Sequence, residues 1–444
     1  MIVILLLISF VAIFLGYAKD KKFTSPIVMF SFLWAFITTL AVLQLRPINE
    51  VSDNMLGIII VGVFFFFLGS IIVPRRININ GGFIYNNDKI YSYLKYLQIL
   101  GIIIFLIADI PALILLREGA TMEDLYQMRM NMAHGGETEL SGASHFLTIL
   151  LEYIARPVLA ISIPYTVLDV LLYKRFRNII ICITLLVLGY ISKANRMDII
   201  LAFVSFLYAY LVFKKSTKFS IVKTLRLSIY LVLVLVLFVF LSSLRSSKEM
   251  NMFDTFYFYL CGNIPLAEVK IAKLGIDYIY TYGMTSFQGL IRPFAQFFEI
   301  FQIGSSQLFD LADKYADVEE AEYIGGYGSY NAFVGLFYFF YCDLGYIGVA
   351  IYSALFGFCV EKLYYKALSQ KDFLVNVLFV MIVVRGVLFS FYNFLFAGIP
   401  YGVALFILIL FRLLKNKKYD LRKLSYSPIH RRANSCSSVV QATK

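Results

Sequence analysis

Long apolar runs broken by short charged stretches dominate the chain. Read at the length a helix needs to cross a bilayer, about 20 residues, they predict spans near residues 2–18, 25–45, 55–73, 97–116, 154–173, 178–192, 197–213 and 225–244. Three more follow near 344–365, 373–391 and 398–414. The first run is followed by Lys-Asp-Lys-Lys and has no basic start or small-residue cleavage site, so it reads as a retained helix rather than a signal peptide. The predicted fold is therefore all-α and polytopic, with about eleven transmembrane helices.

The polar connections alternate in charge. One set carries Lys19, Lys21 and Lys22, then Arg75, Arg76, Lys89 and Lys95, then Lys174, Arg175 and Arg177. It continues with Lys214, Lys215, Lys218, Lys223 and Arg226, then Lys362, Lys366 and Lys371, and the tail from Arg412. The other set is poor in cations or acidic, as at Glu118, Glu123, Asp124, Glu137 and Glu139. Under the positive-inside rule, eleven spans with an external amino terminus fit every loop.

Composition sharpens this picture. The chain of 444 residues is 60% hydrophobic and 15% charged, with mean hydropathy +0.78, which excludes a soluble enzyme. The net charge of +12 is explained by sidedness and by anionic headgroups, so no nucleic-acid partner is expected. Four regions result: spans one to eight in 1–244, a large extracytoplasmic loop or cap in 245–341, spans nine to eleven in 342–415, and a basic tail in 416–444 expected to be disordered. A loop that long is expected to hold helical pieces, or a re-entrant segment near 333–341, and to carry function.

Common cofactor signals are missing. Five cysteines (182, 261, 342, 359 and 436) lack Cys-x-x-Cys spacing and their odd number argues against a disulfide framework. His134, His145 and His430 lack metal spacing, and there is no Walker loop or dinucleotide fingerprint. Gly325, Gly326 and Gly328 read as a flexible approach to the next span, and the acids from Asp313 to Glu322 as a solvated helix face. No metal and no cofactor is expected.

The informative charges are cations on the side that the inside rule disfavours. Arg129, Arg196, Arg245 and Arg292 fall in or beside external loops, and Arg156 and Arg385 near or inside the outer half of apolar helices. An unpaired guanidinium at mid-helix costs about 2.5–3.5 kcal/mol, so something should compensate it. For Arg156 the candidate is Glu152, four residues earlier on the same helical face. Together these arginines suit an anionic, lipid-linked substrate, because the guanidinium fork grips phosphate oxygens. Asp109, ahead of Pro111, is either a helix-bend partner or a proton site, and Tyr323, Tyr327, Tyr330 and Tyr338 are candidates for stacking on sugar faces.

Three stretches carry a family resemblance: Ser-Lys-Ala-Asn-Arg-Met-Asp-Ile at 192–199, Leu244-Arg245 with Tyr-Leu-Cys-Gly-Asn-Ile-Pro at 259–265, and Tyr-Cys-Asp-Leu-Gly-Tyr-Ile-Gly at 341–348. With the layout of nearly the whole chain, they resemble the Wzy-type oligosaccharide repeat unit polymerases of O-antigen and capsule assembly. The last stretch looks like that family's Tyr-x-Asp-aromatic-Gly-x-x-Gly pattern, with Leu344 in the aromatic position. The resemblance implies a multi-pass protein of the bacterial inner membrane. It implies metal-independent transfer of a growing glycan from undecaprenyl diphosphate to an incoming lipid-linked repeat on the outer face. A flippase and a chain-length regulator would be partners beside membrane lipid. On this reading Arg196, Arg245, Arg292 and Arg129 bind the diphosphates, and Asp343, with Glu268 as substitute, is the base, although a helix-end role is open for both acids. A lipid-linked-oligosaccharide flippase or transporter, or an O-antigen ligase, is the alternative.

Overall fold

The computed structural model describes residues 1–75, 88–119, 141–193, 197–213, 252–275, 278–300, 307–318, 322–325, 329–330, 333–369 and 372–425. Its first half is a succession of apolar helices: α1 (Ile2–Asp20), α2 (Pro26–Leu43), α3 (Asp53–Ile72) and α4 (Asp88–Arg117). Next come α5 (Ser141–Leu150), a π-helical turn (Leu151–Ala155) and α6 (Arg156–Tyr173), which run on as one rod, then α7 (Arg177–Lys193) and α8 (Met197–Phe213). Ten of the eleven predicted runs coincide with described helices, and the run at 225–244 lies outside the described residues. Among the described residues six helical segments are long and apolar enough to cross a membrane by length and composition, and four shorter apolar helices accompany them. Val3, Leu7, Phe10 and Phe14 point outward from α1, a stripe that water would penalise and lipid would not. The chain is an all-α membrane protein in its described parts, apart from one pair of two-residue strands.

Local signals set several helix ends. Ser52 caps α3 by accepting the Met55 N–H, and Pro26 opens α2, where its missing N–H costs nothing. Helix α13 (Gly335–Ser369) lies closely along α3. A Cβ added to Gly69 would stand 1.9 Å from the Ala354 carbonyl oxygen, and one added to Gly357 would stand 2.3 Å from that of Phe66. Small residues therefore let the two backbones touch, which supplies the dispersion contacts that hold helices together in lipid. At the basic end of this pair Asp20 accepts from Ser25 Oγ at 2.6 Å and Tyr365 Oη at 2.7 Å, and Lys19 stands 3.6 Å from Glu361.

The segment expected as a cap contains α9 (Met252–Cys261), α10 (Asn263–Leu274), α11 (Gln288–Ile300), α12 (Gln307–Ala316) and the antiparallel pair β1 (Glu322–Tyr323) and β2 (Ser329–Tyr330). These pieces share the core of the bundle instead of enclosing their own: Tyr257, Phe258, Cys261, Ile264, Leu266 and Tyr315 are buried in the same cluster as Phe30, Trp34 and Phe337. Cys261 and Cys342 are separate buried thiols. Chain end and bundle close with α14 (Phe373–Ile382), a second π-helical turn (Val383–Leu388), a 3-10 turn (Leu395–Ala397) and α15 (Ile399–Ser425).

Candidate functional site

Asp343 sits where α13 breaks. Leu344 and Gly345 leave helical geometry, with Gly345 at φ 62°, a conformation open to glycine at no steric cost. The carboxylate faces the 281–287 turn and accepts hydrogen bonds from Thr281 Oγ1 at 2.6 Å and from the N–H groups of Thr285 and Ser286, both at 3.1 Å. Its own carbonyl accepts the Tyr282 N–H at 3.2 Å. The residue is fully buried, so the acid fastens the turn from which α11 emerges. Beside it the phenol of Tyr278 donates to the Tyr341 carbonyl at 3.0 Å, and burial pushes its pKa up. Glu268 instead accepts the Ser52 N–H at 3.2 Å, bracing the start of α3.

Arg292, on α11, forms an ion pair with Asp313 of α12 at 2.5 Å, and Gln288 donates to the same carboxylate. Arg129, Arg196 and Arg245 lie outside the described residues, as does Tyr327. Of the aromatic candidates Tyr323 is exposed, but Tyr338 is not a surface platform: it is buried, with its hydroxyl donating to the Tyr315 carbonyl at 3.0 Å. That corrects the expectation for Tyr338, whose position on the core face of α13 its sequence context did not reveal.

The two arginines predicted within apolar helices come together. A cavity of about 120 Å³ is lined by Arg156, Asp198, Arg385, Tyr392 and Tyr401, over a floor that includes Phe105 and Leu159. It lies at the Arg156 end of α6, opposite the end that carries Lys174 and Arg175, and its walls come from α4, α6, α7, α8, the second π turn and α15. That is the end expected to face outward.

Arg385 is held in a specific way. Its Nη1 donates to the carbonyls of Phe389 at 3.2 Å and Asn393 at 3.1 Å, acceptors freed where the helix ends. The guanidinium lies 4.8 Å from the Tyr392 ring centroid and 5.4 Å from that of Tyr401. Cation–π contact offsets part of its desolvation, yet neither ring carries a negative charge. Among the described residues no carboxylate lies within 4 Å of it. Arg156 forms the expected ion pair with Glu152, one turn earlier. Each arginine is joined to a π-helical turn: Leu151–Ala155 ends at Arg156, and Val383–Leu388 contains Arg385. Such turns shift the register of the side chains beyond them, and they recur at functional sites. Two of them on one cavity mark the place where the bundle gives up regular hydrogen bonding to aim cations inward.

The arrangement can hold a small anion: a guanidinium fork, a second guanidinium, and room for a phosphate-sized group or a few waters. Asp198 adds a carboxylate to the lining. The sequence-predicted acids Asp343 and Glu268, and Arg292, do not line this cavity. The connection is indirect, through α11, which packs along α15 with Phe294 against Phe406. Arg196 directly precedes Met197 and Asp198, both in the lining. Tyr392, Tyr401 and Asp198 were not singled out from sequence; the available signal was the arginine inside an apolar run, which pointed to Arg385 but not to its surroundings. Compared with protein-family models, with characterised proteins and with solved structures, the chain has no significant match in any of the three.

Proposed function

We propose that this chain is a glycosyltransferase that polymerises undecaprenyl-diphosphate-linked oligosaccharide repeats on the outer face of a bacterial inner membrane, for O-antigen or capsule. One observation carries the reading: a buried guanidinium, Arg385, has no carboxylate partner among the described residues and faces a cavity shared with Arg156. Leaving such a charge in an apolar bundle is costly, and a diphosphate is a ligand whose charge and geometry repay it.

The chemistry asked of the chain is modest. The bond between the reducing-end sugar of the growing chain and undecaprenyl diphosphate breaks, that sugar carbon bonds to a hydroxyl of the incoming repeat, and the hydroxyl proton passes to a base. Arg385 and Arg156 would stabilise the charge that develops on the leaving diphosphate. Asp198, in the lining of the cavity, is better placed for the proton than Asp343, whose oxygens are occupied by the 281–286 turn. Arg196, next to Asp198 in sequence, belongs to the same proposal, and Arg292 would guide the second lipid-linked substrate from α11.

The test is deletion of the gene in a strain with a polymeric surface glycan, followed by complementation. Loss of polymer with a single repeat transferred supports a polymerase. No transferred glycan indicates a ligase, and lipid-linked repeats retained inside indicate a flippase. Complementation by Arg385→Ala to full polymer length, at matched membrane expression, would sink the site assignment.

A further inference from the structure

The opposite half of the same helices holds a second polar feature. On α6, Ser162, Thr166 and Asp169 follow at spacings of four and three and so share one face. They meet Gln98 from α4, and Asn178 and Cys182 from α7, one turn apart. All six are buried, and Asp169 is 0% exposed.

Their hydrogen bonds link them in two groups. Gln98 Nε2 donates to Ser162 Oγ at 3.0 Å, Ser162 Oγ donates to the Val158 carbonyl at 2.6 Å, and Cys182 Sγ donates to the Ser162 carbonyl at 3.8 Å. One turn further along, Asn178 Nδ2 donates to Asp169 Oδ2 at 3.0 Å and to Tyr165 Oη at 3.4 Å. Among the described residues two acceptor oxygens on this path are buried without a protein partner, Gln98 Oε1 and Asp169 Oδ1, while the Thr166 hydroxyl stands against the Cys182 thiol. A buried acceptor without a donor costs about 1–3 kcal/mol, and more for a charged group, so two along one thread of a membrane bundle require donors. The chemistry that supplies donors to a line of separate oxygens is water, which takes two to four polar partners each.

The thread runs between an apolar end and a basic one. Toward the arginine cavity it is closed by Phe105, Val158, Leu159 and Leu185, all buried in one apolar cluster. Toward the other end α6 finishes at Tyr173, and Lys174, Arg175 and Arg177 follow.

We propose that α4, α6 and α7 enclose a file of water that enters at the Lys174–Arg177 end and stops beneath Phe105, with Asp169 as the carboxylate that exchanges protons with it. The proton moves between a water oxygen and Asp169 Oδ1, and nothing else changes. Tyr173 on its own helix and Arg175 on the following loop act on Asp169 directly, Tyr165 is joined to it through Asn178, Cys182 lies one turn along α7 from Asn178, and Asp372, ahead of α14, acts on Tyr173. This site is separate from the arginine cavity and does not rest on the glycan reading.

Three buried thiols among the described residues make the test internal to the unmodified chain. Cys182 lies on the thread, whereas Cys261 and Cys342 are buried in the main core. Ag⁺ is small enough to follow water, and binds sulfur while displacing the thiol proton. Full-length protein in sealed vesicles is treated with Ag⁺ on one side, washed, denatured and alkylated, and each cysteine is quantified by peptide mass spectrometry. The expected result is loss of later alkylation at Cys182 when Ag⁺ is added on the Lys174–Arg177 side, with Cys261 and Cys342 still fully alkylated. Asp169→Leu, which puts an apolar side chain in place of the carboxylate, should restore alkylation of Cys182. Full alkylation of Cys182 from both sides in the wild type overturns the proposal, and equal loss from both sides overturns the Phe105 seal.

Discussion

Substituting Asp343 separates an anchoring role from a catalytic one. The carboxylate holds one hydroxyl and two backbone N–H groups, all within 3.1 Å, in a fully buried place. Hydrogen bonds to a charged group contribute about 1.5–3 kcal/mol each, and a donor left buried and unpaired costs about 1–3 kcal/mol. Asp343→Asn keeps the shape but turns one acceptor into an N–H₂ group. The oxygen can stay on Thr281 and Thr285, whereas the amide nitrogen meets the Ser286 N–H, donor against donor. The expected loss is about 1–3 kcal/mol, and Asp343→Ala, which abandons all three donors, should cost roughly two to three times that. The assay is thermal unfolding of purified protein in mild detergent, followed by intrinsic tyrosine and tryptophan fluorescence, with glycan length measured on the same variants in cells. If Asp343→Asn leaves the unfolding temperature unchanged while abolishing polymer, the anchoring argument is refuted and the acid acts on substrate.

Other outcomes follow from the same geometry. Arg385→Lys keeps the charge but loses the fork and the fit between Tyr392 and Tyr401; binding of inorganic pyrophosphate by titration calorimetry should weaken by about 1.5–3 kcal/mol, or roughly 10–150-fold. Arg292 and Asp313 form a partly exposed pair, so Arg292→Ala and Asp313→Ala should each shift stability by no more than about 1 kcal/mol in chemical unfolding. If Arg292 also holds a lipid diphosphate, only Arg292→Ala shortens the glycan; equal shortening in both variants would reduce its role to the pairing of α11 with α12. Gly69→Leu forces a side chain into the Ala354 carbonyl and should cost more than the roughly 1–3 kcal/mol of ordinary overpacking, seen as loss of folded protein on size-exclusion chromatography.

Much of the architecture was legible because bilayer thickness sets a length that apolar runs either meet or miss. The runs at 2–18, 25–45 and 55–73 reappear as α1, α2 and α3 with ends displaced by a few residues. The Glu152–Arg156 pair was legible too, since a spacing of four places both on one face. Tyr338 was not, because aromatic residues serve belts, cores and sugar sites alike. Asp343 was visible as a motif residue, but its three donors come from residues 281–286, about sixty positions away, and no local pattern pairs them.

Hydrophobic length and charge alternation, which are properties of the chain read in order, determined the helical membrane class and the end of each helix expected to face outward. Tertiary packing alone decided which cations meet. Arg156 and Arg385 are separated by more than two hundred residues and share a cavity because two π-helical turns rotate them inward where α6 and α15 pack together. A guanidinium in an apolar run announces that a partner is needed; only the assembled bundle shows that for Arg385 two tyrosine rings and a cavity stand in that place.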